Sequence, residues 1–293
     1  MSVAKLLSLV IMLSMAGILL SVALEARLRD LTYLLRHPGL LVRSIVAMNL
    51  VMPLLAVTMA LTLGLERPIA FALIAMALAP VPPILPGTEL KAGGSRRFTM
   101  GLVVISCCLA IVFVPFAVGW IGQLAGHPID VTPAQVARIV ATWMLLPMLL
   151  GACVRAWSEK HAQAWARPIA RASGVLLLVA IVPVLLMEWR YMLGLLGWGT
   201  LAIAAFALGG LGIGHLLGGP DPRQRTVLSL STAMRHPGVA MAMLQVNEDR
   251  HVLLAAVLLV LLVSVAVVQP YVHWRSRVLE RSPAPANTGG EHA

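Results

Sequence analysis

Nine stretches of this 293-residue chain are long and apolar enough to cross a bilayer, which leaves few folds open to it. A hydrocarbon core about 30 Å thick takes roughly 20 apolar residues per helix. Inside it, only helices and closed barrels satisfy every backbone N–H and C=O. The runs fall near residues 5–25, 40–63, 68–93, 97–120, 134–157, 168–188, 192–218, 225–247 and 251–273. With 59% hydrophobic and 12% charged residues, an ordinary soluble domain is excluded. The pattern predicts an all-α integral membrane protein with nine transmembrane helices. Residues 1–275 form one polytopic domain, and 276–293, rich in Pro, Gly and polar residues, form a disordered cytoplasmic tail.

A net charge of +10 raises the question of nucleic acid, but in a membrane protein basic residues record orientation. Sixteen fall in five loops or ends on one side, around Arg27 to Arg43, Lys91 to Arg97, Arg155 to Arg171, Arg223 and Arg225, and Arg275 to Arg281. Five lie on the other side: Lys5, Arg67, Arg138, Arg190 and Arg250. This segregation predicts a multi-pass cell-membrane protein with its N-terminus outside and its C-terminus cytoplasmic, and no nucleic-acid partner. Trp120, Trp157, Trp165, Trp189 and Trp274 fall near span ends, as an interfacial belt does. Cys107, Cys108 and Cys153 read as small apolar residues within spans.

The third and eighth spans are interrupted by Pro-Gly steps, Pro86-Gly87 and Pro237-Gly238. Five crossings apart, they run in opposite directions, as an inverted-topology repeat with two discontinuous crossing helices requires. Half-helices beginning near Gly87 and Gly238 would bring free N–H groups to the midplane, a place for a small organic anion. Pro53, Pro115, Pro147 and Pro183 read as helix kinks.

Arg235 is the most expensive residue, since an arginine at that depth costs at least about 3 kcal/mol unless paired or hydrated. It reads as an anion-binding guanidinium or a fixed replacement for a coupling cation; the bland alternative is a structural ion pair with Glu89 on the opposing broken helix. His236 either carries protons or bonds a freed carbonyl. Ser231 and Thr232 supply polar lining, and Asn49 either lines the site or bridges helices. His215 reads as a packing or interhelical hydrogen-bond residue. No metal-ligand spacing or nucleophile–base pair occurs, so neither a cofactor nor an enzyme is expected.

These features, with Leu35-Arg-His-Pro38, Met52-Pro53, the glycine-rich block 212–218 and the run Ala233–Ala240, resemble the bile acid:sodium symporter family over residues 5–275. The likeness is to its nine-helix form. It implies a panel and a core bundle, the core holding the crossed broken helices, and an elevator-like or rocking movement between them. Family sodium ligands fall here on Leu85, Pro86, Thr99, Val103, Met48, Ser231, Arg235 and His236, mostly without hard oxygen donors. The resemblance therefore implies an organic-anion carrier that is sodium-independent or proton-coupled. The alternatives are a sodium-coupled symporter with a rearranged cation site and a non-transporting sensor or scaffold.

Overall fold

Long apolar runs bounded by Pro, Gly and Arg fold into helices wherever the backbone can satisfy itself. The computed structural model describes residues 3–124, 133–237, 240 and 250–281, and every regular element among them is helical. In chain order they are α1 (Val3–Glu25), α2 (Leu28–Leu31), α3 (Pro38–Ile45), α4 (Met52–Thr62), α5 (Arg67–Leu78), α6 (Leu85–Lys91), α7 (Arg96–Leu124), α8 (Pro133–Val140), α9 (Leu146–Trp157), α10 (Glu159–Gly194), α11 (Trp198–Leu217), α12 (Pro222–Ala233) and α13 (Arg250–Arg281). Among the described residues six helices are long and apolar enough to span a membrane. Two shorter apolar helices, Arg67–Leu78 and Ala141–Trp157, fall where two further spans are expected. The expected eighth span is represented by α12, and its second half lies outside the described residues. Helix α13 runs to Arg281, past the expected boundary at 275; residues 282–293 lie outside the described residues.

Prolines shape the helices in two ways. Pro115 and Pro183 lie within continuous helices. Pro53 and Pro147 each follow a π-helical segment, Val46–Val51 and Ala141–Leu145, that links α3 to α4 and α8 to α9. In the first, Met52 N–H bonds to Ala47 O, one residue further back than in an α-helix. The widened turn absorbs the donor that proline lacks.

Both breaks lie upstream of the Pro-Gly steps. The first occupies 79–84, where Pro80, Pro82 and Pro83 deny the chain helical donors, and α6 already starts at Leu85 with Pro86 in its first turn. Proline suits a first turn because its missing N–H would have had no partner there. The second break occupies 234–236, again just before a proline. Helix α6 ends in a Schellman motif: Gly93 (φ 79°) donates to Leu90 O at 3.0 Å and Gly94 to Glu89 O at 2.8 Å. A Cβ on Gly94 would lie 2.7 Å from Val227 Cγ2, so this turn passes directly against α12.

Small residues set the other close approaches, as is usual where helices pack without a hydrophobic driving force. Helix α1 lies along α9 and α10, and α11 along α12. Gly210, Gly214 and Gly218 form one face of α11. A Cβ at Gly210 would sit 2.8 Å from Ala233 Cα, at Gly218 2.5 Å from Arg225 Cα, and at Gly214 against Ser229 and Thr232. Gly214→Leu is therefore expected to push α12 away, at an overpacking cost of about 1–3 kcal/mol. A lowered thermal-unfolding midpoint in detergent is the expected readout, and an unchanged midpoint would contradict this packing.

The five arginine-rich segments meet at one end of the bundle. Arg96 donates to Glu25 O (2.7 Å), Arg155 to Leu24 O (3.1 Å), Gln224 to the Tyr33 hydroxyl (3.1 Å) and Arg275 to Pro222 O (2.6 Å). Ser95 N–H reaches Arg223 O at 3.4 Å. Trp157, Trp165, Trp189 and Trp274 are all at least half exposed, as belt residues are; the Trp120 side chain lies outside what is described. His215 bonds the Tyr271 hydroxyl at 3.0 Å, which donates to Ser229 at 3.0 Å, so His215 ties α11 to α13 and, through it, to α12.

Candidate functional site

Chain breaks in a membrane interior release carbonyls, and the site is built from them. Met48 O would accept from Met52 in an α-helix and from residue 53 in a π-helix. Met52 is taken by Ala47, and residue 53 is proline. Ala79 O faces the same problem, because the residues three and four beyond it are Pro82 and Pro83. Arg235 answers both: one Nη donates to Met48 O at 2.6 Å and the other to Ala79 O at 3.1 Å. A third strut is His236 N–H to Pro80 O at 2.9 Å. The second break is thereby laced to the first break and to the π segment before α4.

The energetics of Arg235 follow from these contacts. Its residue exposure is 3%. Two charge-assisted bonds, each worth roughly 1.5–3 kcal/mol, offset an insertion cost of about 3 kcal/mol. Its Nε–H has no acceptor and is fully enclosed. One directional donor of the guanidinium is therefore unspent.

Glu89 is 1% exposed and projects from α6 toward α12, where the Ser231 hydroxyl donates to Oε1 at 2.6 Å. Its other oxygen, Oε2, and the buried Thr99 hydroxyl both lack a partner of good geometry. Thr99 nevertheless lies beside the same carboxyl. The ion pair weighed for Arg235 and Glu89 is not made: the guanidinium bonds carbonyls and the carboxyl bonds a serine.

The remaining expected residues divide. His236 is buried beside Arg235. The Thr232 hydroxyl faces away, shared among the carbonyls of Gly210 (2.6 Å), Leu228 (2.7 Å) and Ser229 (2.9 Å) on α11 and α12. Asn49 is half-buried in the π segment next to Met48 and makes no hydrogen bond to a described residue. Gly87 is not the start of a half-helix: it lies inside the seven-residue α6, exposed, with open space at its Cα. Proline moved the helix start two residues upstream. Gly238 lies outside the described residues. Among the described residues no group of His, Cys, Asp and Glu is placed to hold a metal ion.

Sequence reasoning missed the two carbonyl acceptors, although their signal was present as a proline five residues after Met48 and prolines three and four residues after Ala79. Thr99 entered only as a position of a family sodium ligand, and its place beside Glu89 was not foreseen, because a threonine at a helix start carries no sign of what it faces. Glu89, Ser231 and Thr99 bring a carboxyl and two hydroxyls to the contact of α6 with α12, while the Arg235 cation sits on the carbonyls of Met48 and Ala79.

No curated protein matches the chain. The family model for the Sodium Bile acid symporter family matches residues 10–194, which takes in the π segment, the first broken span and Glu89. Ser231, Arg235 and His236 lie beyond that match, so their likeness to the family rests on the motifs of the second broken span alone. The match covers well over half of the chain, and the protein belongs to the sodium bile acid symporter family, a family of transporters.

Proposed function

We propose that the protein is a carrier for small organic anions that works without sodium, with Arg235 as its fixed cation and Glu89 as the group that exchanges a proton. The observation that carries this reading is the guanidinium itself. Carbonyl oxygens released by the π segment and by the first break are the hard ligands a small cation would take, and Arg235 occupies one of each at 2.6 and 3.1 Å. A charge anchored in the protein supplies affinity for an anion but does not travel with it. The unspent Nε–H is the donor that a substrate carboxylate would meet once the bundle opens, with His236 and Asn49 near it.

The wider architecture belongs to the same proposal: nine spans in an inverted repeat, a panel moving against a core, the N-terminus outside and the C-terminus in the cytoplasm. The grouping of α1 with α9 and α10, and of α11 with α12, supports a two-part bundle. A rearranged sodium site is the second reading, favoured by Glu89 Oε2 and Thr99 Oγ1 lying together without partners.

Thermal stability of the purified protein against a panel of organic acids, in sodium and in potassium chloride, separates the two. A ligand at about a hundred times its dissociation constant stabilises the folded state by about 2.7 kcal/mol. The expected result is an acid that raises the midpoint equally in both salts. A shift that needs sodium would overturn the arginine reading in favour of the rearranged cation site.

A further inference from the structure

At the arginine-rich end, a concavity of about 700 Å³ opens between the ends of α1, α7, α9 and α10. Six arginines line it: Arg27, Arg29, Arg96, Arg97, Arg155 and Arg167. Only two carboxylates share the lining, Glu25 and Asp30. Three of the cations are engaged. Arg96 pairs with Glu25 at 3.4 Å, Arg97 with Asp30 at 3.9 Å, and Arg155 with Glu159 at 2.6 Å. The guanidiniums of Arg27, Arg29 and Arg167 have no acceptor among the described residues. A second concavity of about 370 Å³ adjoins the first and shares Arg27, Arg29 and Arg155.

Like charges gathered around one hollow repel unless an anion enters it. The planar fork of arginine is matched by phosphate oxygens, which accept two parallel N–H bonds. We propose that this basin binds a phosphate-bearing anion. The same chemistry comes from the headgroup of an anionic lipid or from a free phosphate ester. The surroundings favour the lipid. Trp157 (88% exposed) and Trp165 (50%) stand two residues from the lining residues Arg155, Gln163 and Arg167 on α9 and α10, exposed as interfacial residues are. Helix α10, which supplies Arg167, has only 6% of its most apolar stretch buried, which leaves that face open to bilayer lipid. Basic pockets between spanning helices are a recurrent setting for anionic headgroups. The proposal is independent of the transport reading, since none of these residues belongs to the crossing.

The test is thermal unfolding of the full chain in dodecyl maltoside, with added phosphatidylglycerol, with phosphatidylcholine at the same amount, or with millimolar glycerol 3-phosphate. Phosphatidylglycerol is expected to raise the midpoint by roughly 5 °C more than phosphatidylcholine at saturating lipid. The double variant R29Q/R167Q should lose at least about half of that difference, because each removed cation takes away one phosphate contact. Arg190→Gln, which removes an exposed arginine at the other end of the bundle, should keep it. Should the double variant fail to fold, Arg27→Gln alone must reduce the same difference. If glycerol 3-phosphate reproduces the shift in wild type but not in the variants, the basin is a site for the free ester. If neither probe shifts wild type more than the variants, there is no phosphate site here.

Discussion

Arg235→Ala is expected to abolish organic-acid binding and to lower the thermal midpoint sharply, and the geometry explains why both happen together. The substitution removes a buried charge, which by itself favours insertion by about 3 kcal/mol. Against that, it strips Met48 O and Ala79 O of their donors, and each unsatisfied buried carbonyl costs about 1–3 kcal/mol. It also opens a void where the side chain lay, because packed surroundings relax only partly. The losses exceed the gain, and the crossing loosens. Arg235→Met separates folding from charge, since it fills the volume but leaves no donor and no cation. Enough folded protein is expected for binding to be measured, and none should be found. Arg235→Lys keeps the charge and bonds one carbonyl in place of two, so weakened binding should survive. Organic-acid binding of wild-type strength in Arg235→Met would remove the central role given to this residue.

How much of this was legible in the chain can be judged residue by residue. Some helix ends came close because apolar length and the placing of Arg, Pro and Gly set them locally: α1 ends at Glu25, and α9 at Trp157. By contrast, α10 runs from Glu159 to Gly194 around an expected span of 168–188, and α13 continues to Arg281, because polar residues extend a helix that apolar length alone does not register. The breaks were visible but displaced. A Pro-Gly step looks like the interruption itself, whereas the donors are lost upstream at Pro82 and Pro83, and Pro86 begins the next helix. The cost of Arg235 was legible from depth alone. Its partners were not, because carbonyls carry no sequence signature; an acidic residue does, and Glu89 therefore drew the pairing. Thr232 shows the same limit: its hydroxyl serves Gly210 of α11, a contact that only the glycine face of that helix makes possible.

Glu89→Gln is expected to leave the protein folded and able to exchange substrate while removing its response to a pH gradient. The amide is nearly isosteric with the carboxyl. Its oxygen still accepts from Ser231, replacing the 2.6 Å contact, and its NH₂ is placed to donate toward Thr99, whose hydroxyl lacks a well-aligned partner. Midpoints should therefore agree closely, since no buried group loses a partner. What the amide lacks is a proton to exchange. In proteoliposomes, a pH difference of about one unit is worth about 1.4 kcal/mol per coupled proton, enough for a tenfold accumulation of substrate. Wild type should build up labelled organic acid under such a gradient and lose it when a protonophore is added. The Gln variant should show counterflow between unlabelled and labelled acid at a comparable rate, yet no accumulation. The paired assay matters because Arg235 cannot supply coupling: a guanidinium bonded to Met48 and Ala79 stays with the protein through every cycle, so any work done on the substrate must come from a mobile ion. If Glu89→Gln accumulates substrate as wild type does, that ion binds elsewhere and the carboxyl beside α12 is structural; if accumulation in wild type follows sodium and is lost in Glu89→Gln, the rearranged cation site is the correct reading.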